Sequence, residues 1–174
     1  MPDSNKVYII GFMGSGKSTT GMKLASLLGW PFTDLDRSIE ENTGLSIPEI
    51  FTRHGENWFR EKESEILKNM QPLTNGVIST GGGTPCYGSN MDYMLETGLT
   101  IYLKLTPGQL RSRLSGTSGQ RPLIKDLGDE DLLRFIEEKL AIREKWYNRA
   151  ELIFNGFDTD IRLIYSQIIS SLNL

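Results

Sequence analysis

Residues 7–19, Val7-Tyr8-Ile9-Ile10-Gly11-Phe12-Met13-Gly14-Ser15-Gly16-Lys17-Ser18-Thr19, decide the fold. Val7 to Ile10 is a continuous apolar run of the kind found in a strand buried on both faces. Gly11 to Ser18 then fits the spacing G-x-x-x-x-G-K-[ST], and a helical pattern follows from Thr20 to Leu28. Strand, glycine-rich loop and helix in that order are the context a phosphate-binding loop requires. Small residues let backbone N–H groups turn inward around a polyphosphate, and the helix directs its positive dipole end at the same oxygens. Lys17 supplies a point charge for the outer phosphates, and the Ser18 hydroxyl suits Mg²⁺.

The rest of the chain is compatible with one soluble domain. Its 174 residues suffice for a core without staples. With 38% hydrophobic and 24% charged residues, the composition is that of an ordinary globular protein. A net charge of −3 provides no global field for nucleic acid or an anionic membrane, so an anionic ligand must be held by local Arg and Lys clusters. The single cysteine, Cys86, excludes an intramolecular disulfide and a multi-cysteine metal site. Neither a signal core nor a bilayer-length apolar run is present, which points to the cytoplasm.

Five β-rich runs alternate with helical patterns: Lys6–Gly11, Pro31–Asp36, Val77–Gly81, Leu99–Leu105 and Leu152–Asn155. Such alternation predicts parallel βαβ units with helices on both faces, and ligands at the carboxyl ends of the strands. About forty residues separate the second and third runs, more than one crossover helix needs. They read as an inserted helical region, with one helical piece from Pro48 and another over Glu56–Met70. Ser112 to Asp126 is too polar and glycine-rich for core and reads as a mobile flap. A helix from Asp129 to about Arg149 and a last one from Asp160 to Leu174 complete the pattern, the latter packing Ile161, Leu163, Ile164, Ile168 and Ile169.

Asp34 and Asp36 end the second run, where strand alternation turns both carboxylates to one side. Beside a triphosphate, one suits a metal and the other a substrate hydroxyl, although Asp36 also stands where a helix N-cap would. Gly81-Gly82-Gly83 costs chain entropy unless something approaches the backbone closely; a sharp turn would also explain it, but its place at a strand's carboxyl end favours ligand contact. Ser79 or Thr80 occupies the place of the second acidic residue of many phosphate-loop proteins, which shifts the acidic metal role to Asp34. Arg60, with Glu63 near enough on a helix to orient it, Arg121 in the flap, and Arg143 one turn before Tyr147 are each, taken alone, ordinary surface arginines.

Together these features resemble the shikimate kinase family. The resemblance rests on Gly11–Thr19, Asp34-Leu35-Asp36, Phe51 with Gly55-Glu56, Phe59-Arg60-x-x-Glu63, Gly81-Gly82-Gly83, Arg121-Pro122-Leu123 and Arg143-x-x-x-Tyr147, in that order. It implies a P-loop NTPase-like three-layer α/β/α fold, similar to nucleoside monophosphate kinases, with a five-stranded parallel sheet. It implies a single kinase domain over residues 1–174, with a substrate-binding insertion at about 37–70 and a lid at about 112–126. The implied reaction transfers a phosphoryl group from ATP to the 3-hydroxyl of shikimate, with Mg²⁺, in aromatic amino acid biosynthesis. Carried over by position, Gly14, Ser15, Gly16, Lys17, Ser18 and Thr19 hold the ATP phosphates, Ser18 and Asp34 serve the metal, and Asp36 is base and hydroxyl acceptor. Arg60 and Arg143 grip the substrate carboxylate, Gly82 contacts a hydroxyl, Arg121 closes over the phosphates, and Arg111 or Arg113 stacks on adenine. Lys17, Asp36 and Arg121 are thus the expected catalytic set, in a monomer with shikimate and ATP as partners. A gluconate-kinase-like enzyme or a non-catalytic nucleotide-binding module would share the loop.

Overall fold

The computed structural model describes residues 5–70, 74–115, 124 and 127–174. Five strands form one parallel sheet: β1 (Asn5–Ile10), β2 (Phe32–Asp34), β3 (Asn75–Ser79), β4 (Leu99–Lys104) and β5 (Leu152–Asn155), in the order β2-β3-β1-β4-β5. The helices are α1 (Lys17–Leu28), α2 (Leu35–Thr43), α3 (Ile47–Asn69), α4 (Asn90–Thr97), α5 (Pro107–Ser115), α6 (Asp129–Tyr147) and α7 (Ile161–Leu172). A 3₁₀ turn at Thr84–Cys86 precedes α4.

β1 is central, paired with β3 on one side and β4 on the other. Because side chains alternate across a strand, it feeds two cores. Tyr8 and Ile10 join Leu67, Met94, Ile136 and Tyr147 on one face, under α3, α4, α5 and α6. Val7 and Ile9 join Leu24, Ile101, Ile164 and Ile168 on the other, under α1 and α7. The long apolar runs of the sequence are explained by this burial on both faces. At 25 cal/mol per Å² of apolar surface, each such buried aliphatic side chain contributes roughly 1.5–3 kcal/mol.

The carboxyl ends of β1, β2 and β3 lie side by side, since Asp34 pairs with Ser79 and Ile9 with Ser79 across the sheet. Between β2 and β3 the chain makes α2 and then α3. A capping box starts α3: Ser46 accepts from the Glu49 N–H and the Glu49 side chain accepts from the Ser46 N–H. Gly55, at φ 82° and ψ 173°, breaks α3 into two pieces, in the place where the sequence reading separates them. Only glycine adopts that backbone conformation without strain.

Four expectations need correction. The second strand is shorter than Pro31–Asp36: it ends at Asp34, and Asp36 lies in the first turn of α2. The two carboxylates are therefore held apart by a strand-to-helix corner rather than by alternation along one strand. The capping residue is Asp34, not Asp36, since Asp34 Oδ1 accepts from the N–H groups of Asp36 and Arg37. The proposed flap also starts too early. Residues 112–115 continue α5, Leu114 is buried, and Ile124 is packed in the core. Residues 116–123, with Arg121, Gly116 and Gly119, lie outside the described residues. In α7, Leu163 is half exposed, because the helix buries only the Ile164–Ile168 stripe.

Candidate active site

Gly11, Gly14 and Gly16 all adopt positive φ (148°, 78° and 90°), so the loop from β1 to α1 turns as only glycine allows. Its residues Gly14, Gly16, Lys17, Ser18 and Thr19 line a cavity of about 360 Å³ with Asp34, Asp36, Ser79 and Arg113. Lys17 is the first residue of α1 and is largely buried; its Nζ donates to the Phe12 carbonyl at 2.9 Å. Ser18 Oγ donates to Asp34 Oδ2 at 2.6 Å and lies 3.2 Å from Ser79 Oγ. Two hard oxygen donors thus sit together beside the lysine ammonium. Ser15 stands apart from the other loop residues: its N–H donates to the Phe12 carbonyl, and its buried hydroxyl has no hydrogen-bond partner among the described residues.

A second cavity, of about 210 Å³, opens beside the first. Phe51, Phe59 and Ile47 supply its apolar walls, and Arg60 and Arg143 its cations. Met13, Asp36, Gly81 and Gly82 line both cavities. Asp36 therefore stands at the junction between a phosphate-lined space and a cationic one.

Arg60 is fixed by its own helix. Its Nη1 donates to Glu63 Oε2 at 2.8 Å, and its side chain retains only 16% exposure. Burial works against its charge, but Glu63 and Glu56 more than offset that and hold its pKa above the ordinary arginine value. Glu63 is fully buried, and its other oxygen accepts from Thr84 Oγ1 at 2.6 Å. Removing one partner of such a buried pair typically costs 3–5 kcal/mol. The sequence names Glu63 as a neighbour of Arg60; the part of Thr84 has no signal in the sequence, because it depends on the 3₁₀ turn after β3. Arg143 places its guanidinium 5.4 Å from the Phe12 ring centroid, a cation–π contact that holds it over the loop.

The glycine triplet is crowded rather than contorted, since none of the three has positive φ. A Cβ at Gly81 would stand 2.8 Å from Glu63 Oε1 and 3.0 Å from Asp36 Oδ1. At Gly82 it would meet Arg143 Nη1 at 3.3 Å, and at Gly83 it would overlap the Arg60 guanidinium. Each glycine thus makes room for a different charged group of the site.

Asp36 has a perturbed carboxyl group. Its side chain reaches solvent through the cavity mouth, yet most of the carboxyl is surrounded by protein. That desolvation first, then the negative charges of Glu63 and Asp34, push its pKa up to about 6; Lys17 and Arg60 pull the other way. Such a value suits a group that must accept a proton near neutrality. Cys86 is the opposite case. Burial lifts its thiol to about 11, which leaves it protonated and a poor nucleophile. His54 is exposed and stacks on Trp58 at 4.4 Å, outside both cavities.

Of the arginines considered for adenine, Arg111 turns to Asp129 at 3.9 Å, whereas Arg113 borders the first cavity. Arg113 donates to the carbonyls of Ser15 (3.1 Å) and Gly156 (2.8 Å) and lies 5.6 Å from the Phe157 ring centroid. Among the described residues, no helix is long and apolar enough to cross a membrane.

Known proteins resemble this chain in sequence and fold. The family model for shikimate kinase matches residues 13–173. A curated shikimate kinase from Bacteroides thetaiotaomicron is 40% identical over 157 residues, spanning 90% of each chain. The crystal structure of shikimate kinase from that organism aligns with a TM-score of 0.89 at 37% identity, over 98% of this chain and 99% of the other. A shikimate kinase from Acinetobacter baumannii, solved in complex with shikimate, aligns with a TM-score of 0.84 at 31% identity, over 98% and 93% of the two chains. On sequence and fold, this chain belongs to the shikimate kinase family.

Proposed function

We propose that the protein catalyses the ATP-dependent phosphorylation of the 3-hydroxyl of shikimate, giving shikimate 3-phosphate and ADP, in the biosynthesis of aromatic amino acids. The observation that carries this reading is the pair of cavities sharing Asp36, Gly81 and Gly82: one suits a polyphosphate and the other a small acid. Shikimate bears one carboxylate and three hydroxyls. Arg60 and Arg143 offer guanidinium forks to the carboxylate, a geometry lysine lacks. Phe51 and Phe59, tilted against each other at 4.8 Å, flank the ring. Asp36 accepts the proton of the attacking hydroxyl as its oxygen bonds to the terminal phosphorus and the bond to the ADP oxygen breaks. The backbone of Gly82 contacts a further hydroxyl.

Lys17 and the loop N–H groups hold the phosphates, and Arg121 adds positive charge from the lid segment. Ser18 and Asp34 fit Mg²⁺: both are hard oxygen donors, and among the described residues no cluster of three or more acidic, histidine or cysteine ligands exists that would favour another metal. A sparse set matches an ion that keeps waters and takes phosphate oxygens. Bound there, Mg²⁺ would neutralise phosphate charge. Arg113, beside the phosphate cavity, is the arginine for adenine.

ADP release measured with shikimate, with gluconate and with neither tests the reading. ADP formation is expected to depend on shikimate; formation that ignores it, or that prefers gluconate, overturns the proposal. Two variants test the acid pocket. Arg60→Lys keeps the charge opposite Glu63 but loses the fork, so shikimate binding should weaken by roughly 1.5–3 kcal/mol with ATP binding unchanged. Calorimetric titration of each ligand checks this, and equal losses for both ligands would refute the assignment. Gly83→Ala should fold, because the atom it meets is the end of a flexible side chain. It should raise the KM for shikimate by about tenfold as the guanidinium is displaced. An unaltered KM would show that Arg60 does not need its present place.

A further inference from the structure

We infer that Tyr147 is a positioning residue for the acid pocket: its hydroxyl clamps the Gly82 carbonyl and so fixes the glycine triplet between the two cavities. This rests on the function proposed above. Tyr147 ends α6 and is fully buried, with its ring 5.0 Å from that of Tyr102 on β4. Its Oη donates to the Gly82 carbonyl in a short hydrogen bond. Arg143 lies one turn earlier on the same helix face. Its Nη1 is 3.3 Å from where a Gly82 Cβ would stand. The last turn of α6 therefore holds Gly82 at two points, by a phenol at its carbonyl and a guanidinium against its Cα.

The consequence reaches beyond one residue. Gly81 packs against Glu63 and Asp36, and Gly83 against Arg60. A shift of Gly82 would be felt by both neighbours, and hence by the base and the carboxylate fork together. A buried phenol suits such a clamp. Desolvation raises its pKa well above the ordinary tyrosine value, so it stays protonated and keeps donating. Tyr102 provides an internal contrast. It is equally buried and packs on the Tyr147 ring, but among the described residues its hydroxyl has no hydrogen-bond partner. Burial explains the tyrosine rings; only the Tyr147 hydroxyl has something to hold.

Steady-state kinetics of Tyr147→Phe and Tyr102→Phe, beside the parent enzyme, test the assignment. Phenylalanine keeps the ring and its packing, and near-ultraviolet circular dichroism verifies the fold. Tyr147→Phe should raise the KM for shikimate roughly five- to tenfold, the cost of leaving one buried carbonyl without its donor, while the KM for ATP stays unchanged. Tyr102→Phe should leave both constants unchanged. An unchanged KM for shikimate in Tyr147→Phe, or a parallel rise in both KM values, overturns the clamp. A parent enzyme without shikimate-dependent turnover sinks the functional reading instead, and the two failures are therefore distinct.

Discussion

Asp36→Asn lowers shikimate-dependent turnover by about 10²–10⁴-fold, the usual contribution of a general base, and leaves both substrates able to bind. Asparagine preserves the size of the side chain at the cavity junction but cannot take the hydroxyl proton. The pH dependence provides a second reading of the same substitution. The Asp36 carboxyl, with a pKa of about 6 in the folded protein, is protonated below that pH and is then useless as a base. In the parent enzyme kcat/KM should fall as pH drops through about 6, and in Asp36→Asn that limb should vanish.

Stability should move the other way. Because the folded pKa lies above the ordinary 3.8, the ionised carboxylate is favoured in the unfolded chain, and stability is lost as pH rises from about 4 to about 6. Asparagine removes that repulsion from Glu63 and Asp34. The melting temperature of the variant at neutral pH should equal or exceed that of the parent. A variant with full turnover, or one that melts far below the parent, would remove Asp36 from the role assigned to it.

What the sequence could and could not convey follows from the range of each interaction. The phosphate loop is legible because its chemistry is local: three glycines at positive φ, a lysine and a serine, all within one strand–loop–helix unit. The triplet Gly81–Gly83 announces close approach, but not by what. Its four visitors, Asp36, Arg60, Glu63 and Arg143, come from α2, α3 and α6 and meet only in the folded chain. The strand reading placed Asp36 on the wrong element because Asp34-Leu35-Asp36 alternates as a strand would. The Asp34 side chain overrides that pattern by capping α2. Ile124 is hidden because the short apolar pair Leu123-Ile124, bounded by a glycine-rich and a charged segment, is too brief to carry a periodicity, yet Ile124 finds the core. Tyr147 enters the sequence reading only as the end of Arg143-x-x-x-Tyr147, since nothing local distinguishes a packed ring from a ring whose hydroxyl holds a distant carbonyl.

Lys17→Met should cut turnover by about 10²–10³-fold, the scale of removing one preorganised donor aimed at developing charge. Methionine has nearly the length of lysine and is well suited to filling an irregular space, so the packing around position 17 should persist. What disappears is a buried ammonium, 8% exposed, at the start of α1, where it adds to the positive end of the helix. The loss should also reach the base. Lys17 helps to hold the Asp36 pKa down against burial, Glu63 and Asp34. Without it, Asp36 should retain its proton to higher pH, and the acidic limb of kcat/KM should move above about 6. Two effects of one substitution are thereby separable: a fall in the plateau from lost phosphate stabilisation, and a rightward shift of the limb from lost support of the carboxylate. Measuring the full profile of Lys17→Met against the parent distinguishes them. A plateau that does not fall would mean that the ammonium does not act on the transferring phosphate, and a limb that moves to lower pH would mean that it does not support the Asp36 carboxylate. A lower plateau with an unmoved limb would confine Lys17 to the phosphate alone, and would leave burial, Glu63 and Asp34 as the groups that set the base.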